Sequence, residues 1–258
     1  MAHQPSKAEG LAEIGATLCR SLADLAFSAP VSSVYNPLEY AWAGYRAYLE
    51  YAEHQAPVLL VGMNPGPWGM AQTGVPFGDA QMVKTWLGIT APIKKPAHEH
   101  PKRPVLGFEC PRGEVSGQRL WGWARERFGP PESFFQNFFV GNYCPLSFME
   151  ASGKNRTPDK LPLTERKALF ARCDQALNET VRLLAPKWVL GIGKFAATRA
   201  EAACQGIDVR IASVPHPSPA SPLANKGWGR LINARLDELG CCPATTFTPP
   251  KKGIPATE

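Results

Sequence analysis

The chain lacks a C-x-x-C pair, although it carries seven cysteines: Cys19, Cys110, Cys144, Cys173, Cys204, Cys241 and Cys242. Their odd number and irregular spacing argue against a disulfide frame, a zinc knuckle or an iron–sulfur run. Reduced thiols in a cytosolic-type compartment are expected instead. No basic region followed by an apolar run opens the sequence, so no secretory signal is expected. No stretch reaches the roughly 18 apolar residues of a membrane span. A G-x-S-x-G elbow is absent, which leaves a serine triad without support. Gly191-Ile192-Gly193-Lys194 is too short for a Walker loop and has no Ser or Thr after its lysine. It reads as a plain strand–helix turn. There is no internal repeat.

What is present fits one sizeable α/β domain. The chain has 258 residues and 44% hydrophobic content, enough for a core. Its net charge of +6 is compatible with a polyanionic partner without requiring one. The 26 prolines and 23 glycines predict many turns and loops.

Residues 1–9 are expected to fray and 243–258 to form a flexible Pro/Thr/Lys-rich tail, leaving a single domain over 10–242. Apolar periodicity predicts helices over 11–27, 38–54, 80–87, 116–128, 164–184, 195–203 and 229–240. Apolar runs predict strands over 58–61, 134–142, 188–192 and 209–214. Residues 30–37 read as a connection and 90–107 as an irregular basic segment. The alternation of strand and helix predicts an α/β fold with a central, mostly parallel four-stranded sheet and helices on both faces.

In such a sheet the carboxyl ends of the strands share one edge, where ligands bind. Three of the four predicted strands run into a conspicuous polar residue there: Asn64, Asn142 and His216. Asn64 opens a Gly/Pro-rich loop, 62–79, of a length that is usually functional or disordered; Trp68 and Phe77 argue against disorder. His216 sits among Pro215, Pro217, Pro219 and Pro222, which hold the loop extended. Ser218, Ser221, Asn225 and Lys226 follow, with hydroxyls, an amide and a cation suited to phosphate oxygens. His98 and His100 flank Glu99 without metal-ligand partners at the right spacing and read as solvated side chains. Asp79 reads as a loop-capping carboxylate.

Gly62-Met63-Asn64-Pro65-Gly66-Pro67, continued by Gly69-Met70-Ala71-Gln72-Thr73-Gly74-Val75-Pro76-Phe77-Gly78, resembles the first motif of the single-strand-selective monofunctional uracil-DNA glycosylase family. His216-Pro217-Ser218-Pro219 with Ala224-Asn225-Lys226-Gly227-Trp228 resembles its second. Asn36-Pro37-Leu38-Glu39-Tyr40-Ala41-Trp42, His100 to Gly107, Glu114-Val115-Ser116-Gly117 and Asn142-x-Cys144-Pro145-Leu146 also match, in order, over roughly residues 31–240. The resemblance implies a three-layer α/β/α sandwich, the uracil-DNA glycosylase fold. It implies removal of uracil and 5-substituted uracils, such as 5-hydroxymethyluracil, from DNA.

The resemblance also assigns roles. Asn64 would position the attacking water and His216 would stabilise the departing base. Asn142 would read the uracil edge, Phe77 would stack on it, and Met63 would give a backbone donor. Gly66 would leave room for a 5-substituent. Pro67, Ser218, Pro219, Ala220, Ser221, Leu223, Asn225 and Lys226 would meet DNA or fill the space of the flipped base. The sequence departs from the family at Ala220, where the second motif commonly has arginine. Either Leu223 supplies an apolar wedge or the wedge is weak, so duplex activity is expected to fall below single-strand activity. Trp68 replaces the usual Phe. No nucleophilic lysine is implied, so base removal without strand cleavage is expected. No cofactor, metal or membrane is expected, and the chain is expected to act as a monomer in a bacterial nucleoid or a eukaryotic nucleus. Two other readings stay open: a non-catalytic binder of damaged or single-stranded DNA, and an enzyme acting on free nucleosides.

Overall fold

A computed structural model describes residues 5–241. The expected tail, 243–258, and Cys242 lie outside the described residues.

Among the described residues the seven strands are β1 (Val31–Tyr35), β2 (Val58–Gly62), β3 (Phe138–Asn142), β4 (Ser147–Glu150), β5 (Asn155–Arg156), β6 (Trp188–Ile192) and β7 (Arg210–Val214). Four of them form the central sheet in the order β3-β2-β6-β7, every pair parallel. All five residues of β2 are buried, as a parallel strand covered on both faces should be. The register sets Gly62 beside Asn142 and Ile192 beside Val214, so the residues that follow these strands emerge along one edge. The chain runs from β2 outward to β3 and then returns past β2 to β6. The sheet therefore reverses direction at the β2–β6 boundary, the place where ligand crevices open in such folds.

Helices Lys7–Leu22, Leu163–Leu184 and Lys194–Ala203 pack together as one outer layer. Helices Val115–Phe128, Pro131–Phe135 and Trp228–Leu239 form the other. Right-handed crossovers place the connection from β2 to β3 on the face opposite those from β3 to β6 and from β6 to β7. The second layer meets the sheet through a cluster of buried rings. Trp123 and Phe138 stand edge-to-face with centroids 5.6 Å apart, and Phe134 stacks on Phe138 at 5.4 Å.

Four expectations are corrected. The first helix starts at Lys7, not near Leu11, because Ser6 and Glu9 form a capping box: Glu9 N donates to Ser6 Oγ at 3.1 Å and Ser6 N to Glu9 Oε2 at 2.9 Å. Segment 6–9 is thus ordered. Phe134 and Phe135 end a short helix opened by Pro131 at its first position; the strand begins only at Phe138. The 30–37 connection contains β1, which pairs antiparallel with β4, and β4 with β5, in a second small sheet. The long 38–54 helix is broken into Pro37–Tyr40, Trp42–Leu49 and a 3₁₀ turn over Glu50–His54. Among the described residues no helix is long and apolar enough to cross a membrane.

Candidate active site

Loop 62–79 is pinned rather than loose. It holds a short helix, Met70–Thr73, whose Gln72 is fully buried. Gln72 Nε2 donates to Pro67 O at 2.9 Å and Pro104 O at 3.0 Å, while its Oε1 accepts from Leu106 N at 2.8 Å. A buried amide with its groups satisfied in this way fixes two loops against each other. Thr73 Oγ1 donates to Gly78 O at 3.0 Å, and Tyr40 Oη donates to Ala71 O at 2.6 Å.

At the head of the loop, Asn64 Nδ2 donates to Leu146 O at 3.1 Å. That bond leaves Oδ1 as the acceptor available to a ligand or water. Gly62, one strand position before Met63, has no space for a side chain: a Cβ there would run into Asn142 Oδ1 and the Phe77 ring. The glycine is what lets the Asn142 amide and the Phe77 ring close on one another. Phe77 itself has φ of 54°, the left-handed region that a bulky residue adopts at a cost of about 1–2 kcal/mol. Trp121 Nε1 holds it there by donating to Phe77 O at 3.0 Å. Asn142 Nδ2 approaches Met70 Sδ at 3.3 Å, so its amide lies with Oδ1 toward Phe77 and Nδ2 toward Met70.

His216 follows β7 by two residues. Its Nδ1 accepts from Ser218 N at 3.0 Å. In a neutral ring the proton must then sit on Nε2, which becomes a donor. Burial lowers the pKa from its ordinary 6.5, which favours that neutral form at pH 7. Arg119, from helix Val115–Phe128, braces the loop: Nη1 donates to Pro217 O at 2.9 Å and Ser218 O at 3.2 Å, and Nη2 to Asn225 Oδ1 at 2.7 Å. Trp228 Nε1 donates to Pro215 O at 2.9 Å.

These elements enclose a cleft of about 270 Å³. Its walls bring together Met63, Asn64, Gly66, Pro67, Phe77, Asn142, His216, Ser218 and Pro219. The rest of the expected DNA-contact set lies outside the cleft. Ala220, Leu223, Asn225 and Lys226 are exposed, with Leu223 at 64% exposure on the short helix Pro222–Asn225. Ser221 Oγ caps that helix through Ala224 N at 3.4 Å. The Asn225 amide is committed within the loop, to Arg119 and, through Nδ2, to Pro219 O at 2.9 Å. A separate apolar cavity of about 80 Å³ lies behind Asn142, between the first helix and the sheet.

The cleft also holds residues that sequence reasoning gave no role. Asn155 and Thr157, at the end of the second sheet, form part of its wall. Glu114 is the most consequential. A Cβ on Gly66 would run into Glu114 Oε2, and one on Gly69 would meet Glu114 Cγ at 2.9 Å. Gly66 therefore makes room for a carboxylate as well as lining the cleft. Glu114 N donates to Asp79 Oδ2 at 2.9 Å, and Asp79 Oδ1 accepts from Met82 N at 3.1 Å, so Asp79 caps its helix and anchors Glu114 at once. Burial holds the Glu114 carboxyl above its ordinary value, Asp79 adds a like charge, and backbone N–H groups of Ser116 and Trp68 pull it back. The signal was within Glu114-Val115-Ser116-Gly117, where an acid directly precedes a helix.

His100 is also corrected. It is buried rather than solvated: Nε2 lies 3.1 Å from Glu150 O and Nδ1 accepts from Lys102 N at 3.1 Å. Among the described residues no cluster of His, Cys, Asp and Glu could hold a metal ion.

Fold and site together define a three-layer α/β protein whose ligand cleft lies outside the carboxyl ends of a parallel sheet, walled by three amides and a neutral histidine. The chain belongs to the uracil DNA glycosylase superfamily, whose family model matches residues 49–237. It is 48% identical over 244 residues to the single-strand selective monofunctional uracil DNA glycosylase of Mus musculus, covering 93% of this chain and 88% of the relative. It is likewise 48% identical over 252 residues to the Bos taurus protein of that name, covering 95% and 93%. The crystal structure of wild-type Pedobacter heparinus SMUG2 shares the fold, with a TM-score of 0.62 at 18% identity over 92% of this chain and 98% of that one.

Proposed function

We propose that the protein is a monofunctional uracil-DNA glycosylase that takes uracil and 5-substituted uracils, including 5-hydroxymethyluracil, from single-stranded DNA and, more slowly, from duplex DNA. One observation carries the reading: the free acceptor of Asn64, the Nε2 donor of His216 and the Asn142 amide face a single cleft. The relatives' names support the substrate.

Hydrolysis breaks the bond between C1′ and the base nitrogen N1. The sugar becomes cationic and the departing uracil anionic. The His216 Nε2–H stabilises charge growing on O2. Asn64 Oδ1 holds a water for attack on C1′ and contributes by orientation, because an amide takes no proton at neutral pH. Water gives its oxygen to C1′, and its proton leaves to solvent or the released base. Asn142 accepts from N3–H and donates to O4, a pattern that cytosine reverses. Phe77 stacks on the ring and Met63 offers a backbone donor. The cleft wall contains no lysine, in keeping with base removal without strand cleavage. Pro67, Ser218, Pro219, Ala220, Ser221, Leu223, Asn225 and Lys226 form the DNA-facing rim, Leu223 as the apolar wedge. The protein works as a monomer, in a nucleoid or a nucleus.

A uracil-containing single strand incubated with the protein is expected to yield free uracil and a break only after alkali. An unbroken strand after alkali would leave a non-catalytic binder. Turnover of free deoxyuridine without turnover of the oligonucleotide would mark a nucleoside enzyme.

A further inference from the structure

The central sheet ends in β3 on one side and β7 on the other. His216 and the expected DNA rim follow β7. The second sheet follows β3, and its β4–β5 hairpin brings Asn155 into the cleft wall. Asn155 Oδ1 is buried without a partner, which leaves Nδ2 as the group this amide offers to the cleft. Next along the hairpin come Lys154 and then Gly153, which has φ of 82°. A Cβ on Gly153 would stand 3.2 Å from Lys102 Cβ, so the hairpin packs closely on the 100–103 turn. Two contacts fasten them together. His100 Nε2 lies 3.1 Å from Glu150 O, and Arg103 Nε donates to Gly153 O at 2.8 Å.

This junction gathers positive charge at the mouth of the cleft. Lys102, Lys154 and Arg112 are exposed, and Arg103 is half-buried. Among the described residues none of the four has a carboxylate partner. The guanidinium groups of Arg103 and Arg112 lie over the Trp68 ring, 5.1 and 4.8 Å from its centroid. A cation–π contact holds such a group in place without neutralising it. Cations gathered without counter-charges repel one another and attract a polyanion.

We infer that this ridge is a track for the single strand on one side of the flipped nucleotide. The inference rests on the uracil-releasing reading of the cleft. Two phosphates join the flipped nucleotide to its neighbours, so the strand must leave the cleft in two directions. The β7 rim serves one of them. The ridge, reached from the β3 end, serves the other. Asn155 Nδ2 donates to the phosphate nearest the cleft. Lys154 and Lys102 take the phosphates beyond it and release their counterions. Contacts to the backbone carry no sequence information, which suits a search for uracil in any context. A positive surface that follows the backbone is how proteins hold a single strand.

The test uses the double variant Lys102→Gln/Lys154→Gln, which changes two exposed side chains and keeps the Arg103 contacts. Uracil release is measured on long single strands with the uracil central, at the 5′ end or at the 3′ end, over a range of salt. On the central substrate KM is expected to rise about tenfold, and the slope of log KM against log salt to become shallower by about 1.4, or 0.7 for each lost phosphate contact. The single-turnover rate at saturating protein should stay within about twofold of wild type, because the lysines touch no reacting atom. The KM difference should persist on one terminal substrate and vanish on the other, which has no strand to lay along the track. Lys187→Gln/Arg210→Gln removes the same charge at the amino ends of β6 and β7, away from the cleft, and should leave KM near wild type. An unchanged KM and slope in the Lys102/Lys154 variant would overturn the track. So would a loss that persists on both terminal substrates, or one matched by the Lys187/Arg210 variant. A wild type that releases no uracil would instead overturn the functional reading, and fluorescence anisotropy with the same strands would still judge the track.

Discussion

At the scale of the residue, the proposed chemistry turns on the state of His216. The Ser218 N–H occupies Nδ1, and burial keeps the ring neutral. Protonation would put a second N–H opposite that of Ser218 and break the bond. Base release should therefore stay level as pH falls to 6.5 and decline only below it, through the lowered pKa. His216→Gln should remove that acid limb. An acid limb centred above 6.5, and abolished by the substitution, would contradict the neutral-donor role. Stability follows the same sign. The folded pKa lies below the unfolded one, so the unfolded chain binds more protons between the two values. The contribution of His216 is complete above about pH 6.5 and fades as pH drops through the folded pKa.

At the scale of the element, the cleft depends on segments that hold other segments. Helix Val115–Phe128 supplies Arg119, which fixes two carbonyls and one amide of the His216 loop. Arg119→Ala should slow base release by about ten- to a hundredfold, since small misplacements of a catalytic group are costly. Its KM for DNA should move much less. A wild-type kcat in the variant would show that the prolines suffice to place His216. The rim is a separate element with a separate readout. Ala220 is exposed on the proposed DNA-facing rim, so Ala220→Arg should raise duplex release relative to single-strand release. An unchanged ratio between the two strands would discard the wedge account.

Legibility also divides by element. The four parallel strands were readable because burial on both faces makes them short continuous apolar runs, as in Val58-Leu59-Leu60-Val61. β1 was not: Val31-Ser32-Ser33-Val34-Tyr35 is polar at its centre, lies in a small sheet and takes its partner from residues more than a hundred positions later. Phe134 and Phe135 read as strand because aromatic residues favour sheets, yet Pro131 starts a helix and the ring cluster buries both side chains. Among site residues, Asn64, Asn142 and His216 were visible as polar groups ending apolar strands. Glu114, Arg119 and Gln72 were not. Much of their work is done on carbonyls and glycines far away in sequence, as from Arg119 to Pro217 O and from Gln72 to Pro104 O, and no local pattern announces such a contact.

At the scale of the whole molecule, the sheet edge unites the account. Three side chains spread over more than 150 residues of chain reach one cleft because β2, β3 and β7 lie in one parallel sheet. Both outer layers bury their apolar faces on that sheet, so the edge is rigid before any ligand arrives. The net charge of +6 adds a general attraction for a polyanion, and its effect should weaken with salt. The central claim is that Asn64 and His216, both in the wall of this cleft, act on one glycosidic bond. Single-turnover release of uracil from a single strand, by wild type, Asn64→Ala and His216→Ala, tests it most directly. The account predicts release by the wild type, a loss of about a hundred- to a thousandfold in each variant, and retained binding of the oligonucleotide. Near-wild-type release by either variant would contradict it.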